Sequence, residues 1–452
     1  MTTAPSREAA PGSGYRYYVL AVLIFVYMLN FLDRQIIGIL ATPLKAEFGL
    51  SDSQFGLMGG LAFALLYSTL AIPIAWLADR FSRVWIMTTA LALWSGFTAL
   101  CGVAGSFTQL FLCRMGVGVG EAGGVAPAYS LIADYFPKAQ RARALAAYAF
   151  GIPLGTAAGT LVGGLLAATY GWRTAFVVVG LLGVIAAPLL RLTVRDPRRG
   201  GMDEPVPAET AAPAAIAAPP KAPPFGQVLK TLLPKPSFWL LAFGAAASSV
   251  CGYGVAAWLP SFFQRSFGLS LAQTAWYYSG IALAGGLTGI WLGGAVADRL
   301  GRASRGAYPL VPAIAFLISV PCFLLAMNSG AIIGAILPGA GTNSVAALTL
   351  AFLIFLVPTG LNLAWLGPIT ASVQHLVPAT MRTTASALFL LINNLLGIAV
   401  GIFYFGWMSD LLRPAFGDES LRWSIYTGMG FYLLAAALLI GASRTLKKDW
   451  VD

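Results

Sequence analysis

The sequence predicts an all-α integral membrane protein of twelve transmembrane helices, arranged as two pseudo-twofold-related six-helix bundles. Three observations carry that expectation. The 452 residues are 58% hydrophobic and only 10% charged, with mean hydropathy +0.78, whereas soluble domains carry about 25% charged residues. Apolar runs of the roughly 20 residues a spanning helix needs recur along the chain. The two halves of the chain also repeat each other.

Taken in order, the apolar runs lie near 17–40, 53–77, 84–105, 107–133, 141–169 and 173–194, then near 237–263, 272–297, 307–328, 347–375, 383–411 and 422–443. The residues before the first run are polar. That run is too long for a signal-peptide core and follows no small-residue cleavage site, so it reads as a retained helix. The Gly-rich stretch 329–346 reads as a loop with only a little structure. Residues 196–236 include PVPAETAAPAAIAAPPKAPP, poor in large apolar side chains, and read as a cytoplasmic linker with room for a short helix around 225–232. The expected organisation is a tail (1–16), a first bundle (17–195), the linker (196–236), a second bundle (237–443) and a tail (444–452).

The net charge of +11 raises the question of nucleic acid, but the placement of the basic residues argues against it. An even number of spans puts both termini on one side. Assigning that side as cytoplasmic places 21 of the 28 Lys and Arg inside and leaves Lys45, Arg173, Arg265, Arg413 and Arg422 outside. This is the positive-inside pattern of a plasma or bacterial inner membrane protein. Arg34 and Arg114 fall within spans.

The repeat is specific. AWLADRFSR (75–83) after the second span matches GAVADRLGR (294–302) after the eighth, at an offset of 219 residues. Pro137, Arg141 and Ala144 match Pro378, Arg382 and Ala385 at an offset of 241. A duplicated six-helix unit of this kind builds transporters that rock two halves about a central site.

Charges at bilayer depth cost roughly 2.5–3.5 kcal/mol each and face a bundle interior or a watery cavity. The first span carries YMLNFLDRQII (27–37), with Tyr27, Asn30 and Arg34 on one helical stripe and Asp33 beside it. The fourth carries CRMGVGVGEAGG (113–124), with Arg114 and Glu121 seven residues apart on one face. Asp33 and Glu121 are the carboxylates placed well inside the membrane and so the candidates to carry a proton, because burial and a neighbouring cation pull a carboxyl in opposite directions. Asp134 and Asp410 sit nearer span ends, where capping or pairing is expected. The single histidine, His375, reads as structural. Gly151, Gly155, Gly159 and Gly163 form a small-residue stripe that lets helices approach closely.

The second half offers polar and aromatic groups instead: Ser249, Tyr253, Tyr277, Asn362, Trp365, Asn393 and Asn394. One charged wall facing one amphipathic wall suits a ligand with an ionic head and an apolar body, and Arg34 and Arg114 are natural partners for a phosphate or carboxylate. Cys101, Cys113, Cys251 and Cys322 lack metal-ligand spacing. No nucleophile–base pair stands out, so an enzyme is not expected, nor any cofactor or metal.

Six plus six helices with D-R-x-G-R loops after spans two and eight resemble the major facilitator superfamily. The first copy departs from the pattern at Ala75 and Ser82, whereas the second keeps Gly294 and Gly301. The resemblance implies that these loops brace the cytoplasmic side of an outward-open state, and makes Asp79, Arg80, Arg83, Asp298, Arg299 and Arg302, with Arg141 and Arg382, gate and latch residues. Arg114 and Gly118 resemble the superfamily motif associated with proton coupling. Within the superfamily, NFLDRQIIG, GVGEAG and IADYFPKAQRARA resemble the spinster family. That implies transport of lysolipids or phosphorylated sphingoid bases, coupled to protons, with Asp33, Arg34, Arg114 and Glu121 carried over by motif. The expected partners are an amphiphilic small molecule, protons and membrane lipid, with no nucleic acid, and the expected state is a monomer. The N-x-x-D-R start is also similar to symporters of sugar acids, and the glycine stripe partly resembles drug exporters.

Overall fold

The structure, a computed structural model, describes residues 13–197, 199, 225–301, 304–339, 341–378 and 381–451. Most of the linker and Arg302 lie outside them. Every regular element among the described residues is helical, as a bilayer requires of a chain that must satisfy its own backbone.

The first half comprises α1 (Ser13–Ile39), α2 (Ala41–Phe48), α3 (Asp52–Gly56), α4 (Ala62–Ala78), α5 (Arg83–Cys101), α6 (Phe107–Glu121), α7 (Val125–Tyr135), α8 (Lys138–Ala149), α9 (Gly151–Tyr170) and α10 (Trp172–Thr193). A short α11 (Phe225–Leu232) follows, buried through Val228 and Leu232. The second half comprises α12 (Pro236–Ser266), α13 (Leu271–Gly301), α14 (Ala307–Met327), α15 (Ser329–Ile336), α16 (Val345–Leu361), α17 (Leu366–Gln374), α18 (Arg382–Asn394), α19 (Gly401–Phe416) and α20 (Ser420–Asp449). Nine helical stretches among the described residues are long and apolar enough to cross a membrane.

Local chemistry sets several of the boundaries. Ser51 and Gln54 close a capping box that starts α3, and the Ser82, Ser106 and Ser344 hydroxyls cap α5, α6 and α16. Gly49 ends α2 at φ 61°, a left-handed turn that costs glycine little. The structure refines one sequence expectation and corrects another. The stretch 329–346 is not all loop, because α15 occupies Ser329–Ile336. The apolar run 107–133 is two helices, broken where Glu121 is followed by Ala122, Gly123 and Gly124.

The matching span of the second half breaks as well, between α16 and α17 at 362–365, where Pro358, Gly360 and Pro368 surround the break. Broken helices at corresponding points of two repeats place polar groups at mid-depth. Two π-helical turns, Leu57–Leu61 and Leu395–Val400, meet between the halves: a Cβ at Gly60 would lie 3.0 Å from the Ile398 carbonyl oxygen.

The glycine stripe of α9 packs on α1. Gly151 faces Tyr27, Gly155 faces Met28 and Phe31, Gly159 faces Leu32 and Gly163 faces Ile36. A Cβ at Gly159 would sit 2.6 Å from the Leu32 carbonyl oxygen, so α1 is held by backbone-to-backbone contact along the segment that carries Asp33 and Arg34.

Candidate functional site

A cavity lies between the halves. Among the described residues, Arg34 (α1) and Arg114 (α6) are the only charged ones that line it, and both come from the first half. The second half contributes Ser249, Tyr253, Asn362 and Trp365 among mostly apolar neighbours. Asn362 accepts a hydrogen bond from Tyr432 at 3.0 Å.

Behind the arginines lie the two acids. Asp33 is 2% exposed and Glu121 fully buried. The spacing on α6 allows an Arg114–Glu121 pair, but the pairing crosses between helices instead. Arg34 Nε donates to Glu121 Oε2 at 2.6 Å, and Arg114 Nη1 reaches the Asp33 carbonyl oxygen at 3.5 Å. The Arg34 guanidinium also lies 4.5, 5.0 and 5.1 Å from the ring centroids of Tyr67, Phe63 and Phe31, an aromatic sleeve that fixes its plane. Its Nη2 and Glu121 Oε1 have no hydrogen-bond partner.

Three expected binding residues stand elsewhere. Tyr27 stacks on Tyr148 at 4.3 Å and lies outside the cavity lining, as does the buried Asn30. Asn393 is also outside it and accepts a hydrogen bond from Ser249, a lining residue, at 2.8 Å. His375 stacks on Trp450 at 4.3 Å, and its carbonyl accepts the Val451 N–H at 2.7 Å, which ties the chain end to α17.

The loop charges behave differently at the two ends of the bundle. At the end bearing the termini, Arg83 is 1% exposed and reaches Asp134, Asp196, Ser130 and the Pro197 carbonyl. None of these comes from the second half, so Arg83 braces rather than gates in this conformation. Burial pushes the Asp196 carboxyl up, but hydrogen bonds from Ser82 and Arg83 outweigh it and hold the group below its ordinary value. Arg80 donates to the Trp76 carbonyl and lies over its ring. Asp79 is 3.9 Å from Arg199, and Arg141 donates to the Phe136 carbonyl. Arg299 is exposed and Arg382 begins α18. The Asp298 side chain falls outside the described residues.

At the opposite end the charges join the halves. Asp52 accepts two hydrogen bonds from Arg265, at 2.7 and 2.8 Å, and one from Ser409 at 2.7 Å, and it also pairs with Lys45. Asp410 caps α3 by accepting from the backbone N–H groups of Asp52 and Ser53, at 3.1 and 2.7 Å. Burial and the neighbouring Arg265 lower the Lys45 ammonium below its ordinary value, against the pull of Asp52. The sequence reading missed this cluster. The Ser51–Gln54 capping box marks Asp52 as the first residue of a helix, but only the packing of the halves brings its partners to it.

A sequence model of the Major Facilitator Superfamily matches residues 23–402. The chain belongs to the Major Facilitator Superfamily. A bacterial homologue of the human lysosomal transporter Spinster, solved inward-facing and unoccupied, is 30% identical over 98% of this chain and 99% of its own, with TM-score 0.79. Its occupied inward-facing form superposes with TM-score 0.77. Protein spinster homolog 1 of Xenopus tropicalis is 30% identical, covering 96% of this chain and 83% of its own. An MFS-type efflux pump of Mycolicibacterium smegmatis is 33% identical, covering 94% and 90%. The protein is therefore a multi-pass membrane transporter of the spinster-like kind, a secondary transporter of a small molecule and not an enzyme.

Proposed function

We propose that this transporter moves an anionic amphiphile, of the lysophospholipid or sphingoid-phosphate type, together with a proton by alternating access. The observation that carries the reading is the half-used guanidinium of Arg34. One edge holds Glu121, while Nη2 is free at the wall of a cavity otherwise lined by apolar and neutral groups. An anionic head that takes Arg34 from Glu121 leaves a buried carboxylate unpaired, a state that costs several kcal/mol. Protonation of Glu121 removes that cost, so head group and proton load together. Arg114 supplies the second positive charge, and Tyr253, Asn362 and Trp365 face the body of the ligand. The coupling works because the proton binds the two conformations with different affinity.

Both termini are cytoplasmic in this reading, which follows from the positive-inside pattern, and the opposite end faces outward. The halves 17–195 and 237–443 rock as units about the cavity, the linker 196–236 joins them, and the protein works as a monomer. Asp33 is the second proton carrier. The loops around Asp79, Arg80 and Arg83, and around Asp298, Arg299 and Arg302, with Arg141 and Arg382, latch the cytoplasmic side when the outer end opens.

The test uses proteoliposomes loaded with a pH dye and a panel of lysophospholipids, sphingoid phosphates, sugar acids and cationic drugs. Wild type is expected to move protons with the anionic lipids, and Glu121→Gln to lose proton movement while still binding lipid. Full gradient-driven transport by Glu121→Gln would overturn the assignment. Proton movement with the drugs alone would favour a second reading, drug efflux, which the resemblance to the mycobacterial pump supports.

A further inference from the structure

The first π turn joins two helices that are held by different halves of the molecule. α3 and α4 follow one another in the second span, and Leu57–Leu61 connects them without a break. On the outer side of the turn, α3 packs mainly on α19 of the second half. Gly56 meets the backbone of Ile402 and Phe403, and the rings of Phe55 and Trp258 lie 5.2 Å apart. Asp410 accepts the Asp52 and Ser53 N–H groups, and Asp52 itself binds Arg265 and Ser409. On the other side of the turn, α4 packs on α6 of its own half, where Gly118 meets the Phe63 backbone.

The turn is built to yield. The Ala62 N–H bonds the Leu57 carbonyl, five residues back, where an α-helix would use the fourth. Such turns are rare and recur at functional sites, where local strain is kept for a purpose. Gly59 and Gly60 leave the backbone within this one free to change. Gly60 faces the Ile398 and Ala399 carbonyls of the second π turn, a contact with little side chain to interlock it. Each residue of an α-helix turns the chain by about 100°, so passing the extra residue out through the short α3 rotates Asp52 by that angle. The turn also touches the ligand's space: Gly59 lines the cavity, and Phe63, just beyond the turn, lies 5.0 Å from the Arg34 guanidinium.

We propose that Leu57–Leu61 is a joint at which α3 turns against its own half, so that a ligand held at Arg34 and pressing on Gly59 acts directly on the Asp52 latch. When the outer end opens, α3 rotates about the joint and Asp52 leaves Arg265 and Ser409, while α4 keeps its place on α6. One short helix therefore does not travel rigidly with the half it belongs to by sequence. The proposal rests on the alternating-access reading above, and its mechanical part is testable without any ligand.

The test is a distance that rigid rocking cannot change. Spin labels at Gln54 on α3 and at Val103, in the outer loop of the same half, report the joint alone. Both positions are exposed, and the reference loop is tied down where Gly102 meets the Arg173 backbone. Arg265→Gln loosens the latch from the second half and leaves the joint intact. In the full-length protein in nanodiscs, this variant is expected to shift the Gln54–Val103 distance by roughly 5 Å or more, the displacement of a side chain swung about a helix axis. Dodecyl phosphate is expected to produce the same shift in wild type. An unchanged distance in Arg265→Gln overturns the joint.

Deleting Leu57 takes the extra residue out of the turn. The deletion is expected to set the distance at its shifted value and to abolish the response to dodecyl phosphate. A folded deletion variant that still responds as wild type does would also overturn the joint, and if the deletion prevents folding, the Arg265→Gln distance decides. Should dodecyl phosphate do nothing in wild type while Arg265→Gln moves the distance, the joint stands and the anionic-amphiphile reading falls.

Discussion

The two ends of this bundle use the same residue types for opposite purposes. At the end with the termini, buried Arg83 ties Asp134 of the first half to Asp196 at the start of the linker, and Lys235 at the linker's end donates to the Leu376 carbonyl of the second half and the Asp449 carbonyl of the tail. At the opposite end, Asp52 of the first half binds Arg265 and Ser409 of the second, and Asp410 of the second caps α3 of the first. The first arrangement makes each half rigid, and the second holds the halves together. In the proposed rocking cycle, rigid halves joined at this one end correspond to an inward-facing state, the state in which the bacterial Spinster homologue was solved.

The largest effect is expected at Asp52. Removing one partner from a buried ion cluster costs about 3–5 kcal/mol, and here that cost falls on the conformation closed at the outer end. Asp52→Asn should shift the population outward, so that an impermeant thiol reagent added from outside labels an Ala256→Cys reporter in the cavity that wild type protects. Equal labelling in both proteins would deny Asp52 a latch role.

Arg83 sharpens the contrast. Arg83→Leu removes the cation from Asp134 and Asp196, and it should lower thermal stability by a few kcal/mol without changing labelling of Ala256→Cys. A rise in accessibility there would contradict the bracing role.

The smallest effect is pH dependence. Because the folded-state Asp196 carboxyl is held below its ordinary value, its contribution to stability is complete above the unfolded pKa near 4 and is lost as pH falls through the folded value. Thermal melts of wild type should therefore lose more stability on acidification below about pH 4 than melts of Asp196→Asn. The same acid response in both proteins would contradict the assignment.

Much of this was legible in the sequence. The duplicated loops exposed the halves, the apolar runs fell on helices, and four-residue glycine spacing marked the face of α9 that meets α1. Asp33, Arg34, Arg114 and Glu121 stood out because charges at bilayer depth are costly. Their pairing was not legible. Helical periodicity puts Arg114 and Glu121 on one face but is silent about which side chain on another helix reaches that face first, and Arg34 does. The Asp52 cluster was hidden for a related reason: Lys45, Asp52, Arg265 and Asp410 each lie at a span end, where an isolated charge is unremarkable, and only the packing of the halves gathers them. Asn393 went astray because nothing in its sequence neighbourhood announces the hydrogen bond to Ser249.

The most direct test of alternating access is a pair of spin-label distances measured in one preparation series, Ala46 to Ala415 at the outer end and Phe81 to Ser304 at the other, in wild type and Asp52→Asn. These four positions are exposed, so labels do not disturb the core. Asp52→Asn is expected to lengthen the first distance and shorten the second together. If the first lengthens while the second stays fixed, or if neither moves, the two ends are not coupled and the rocking account is wrong.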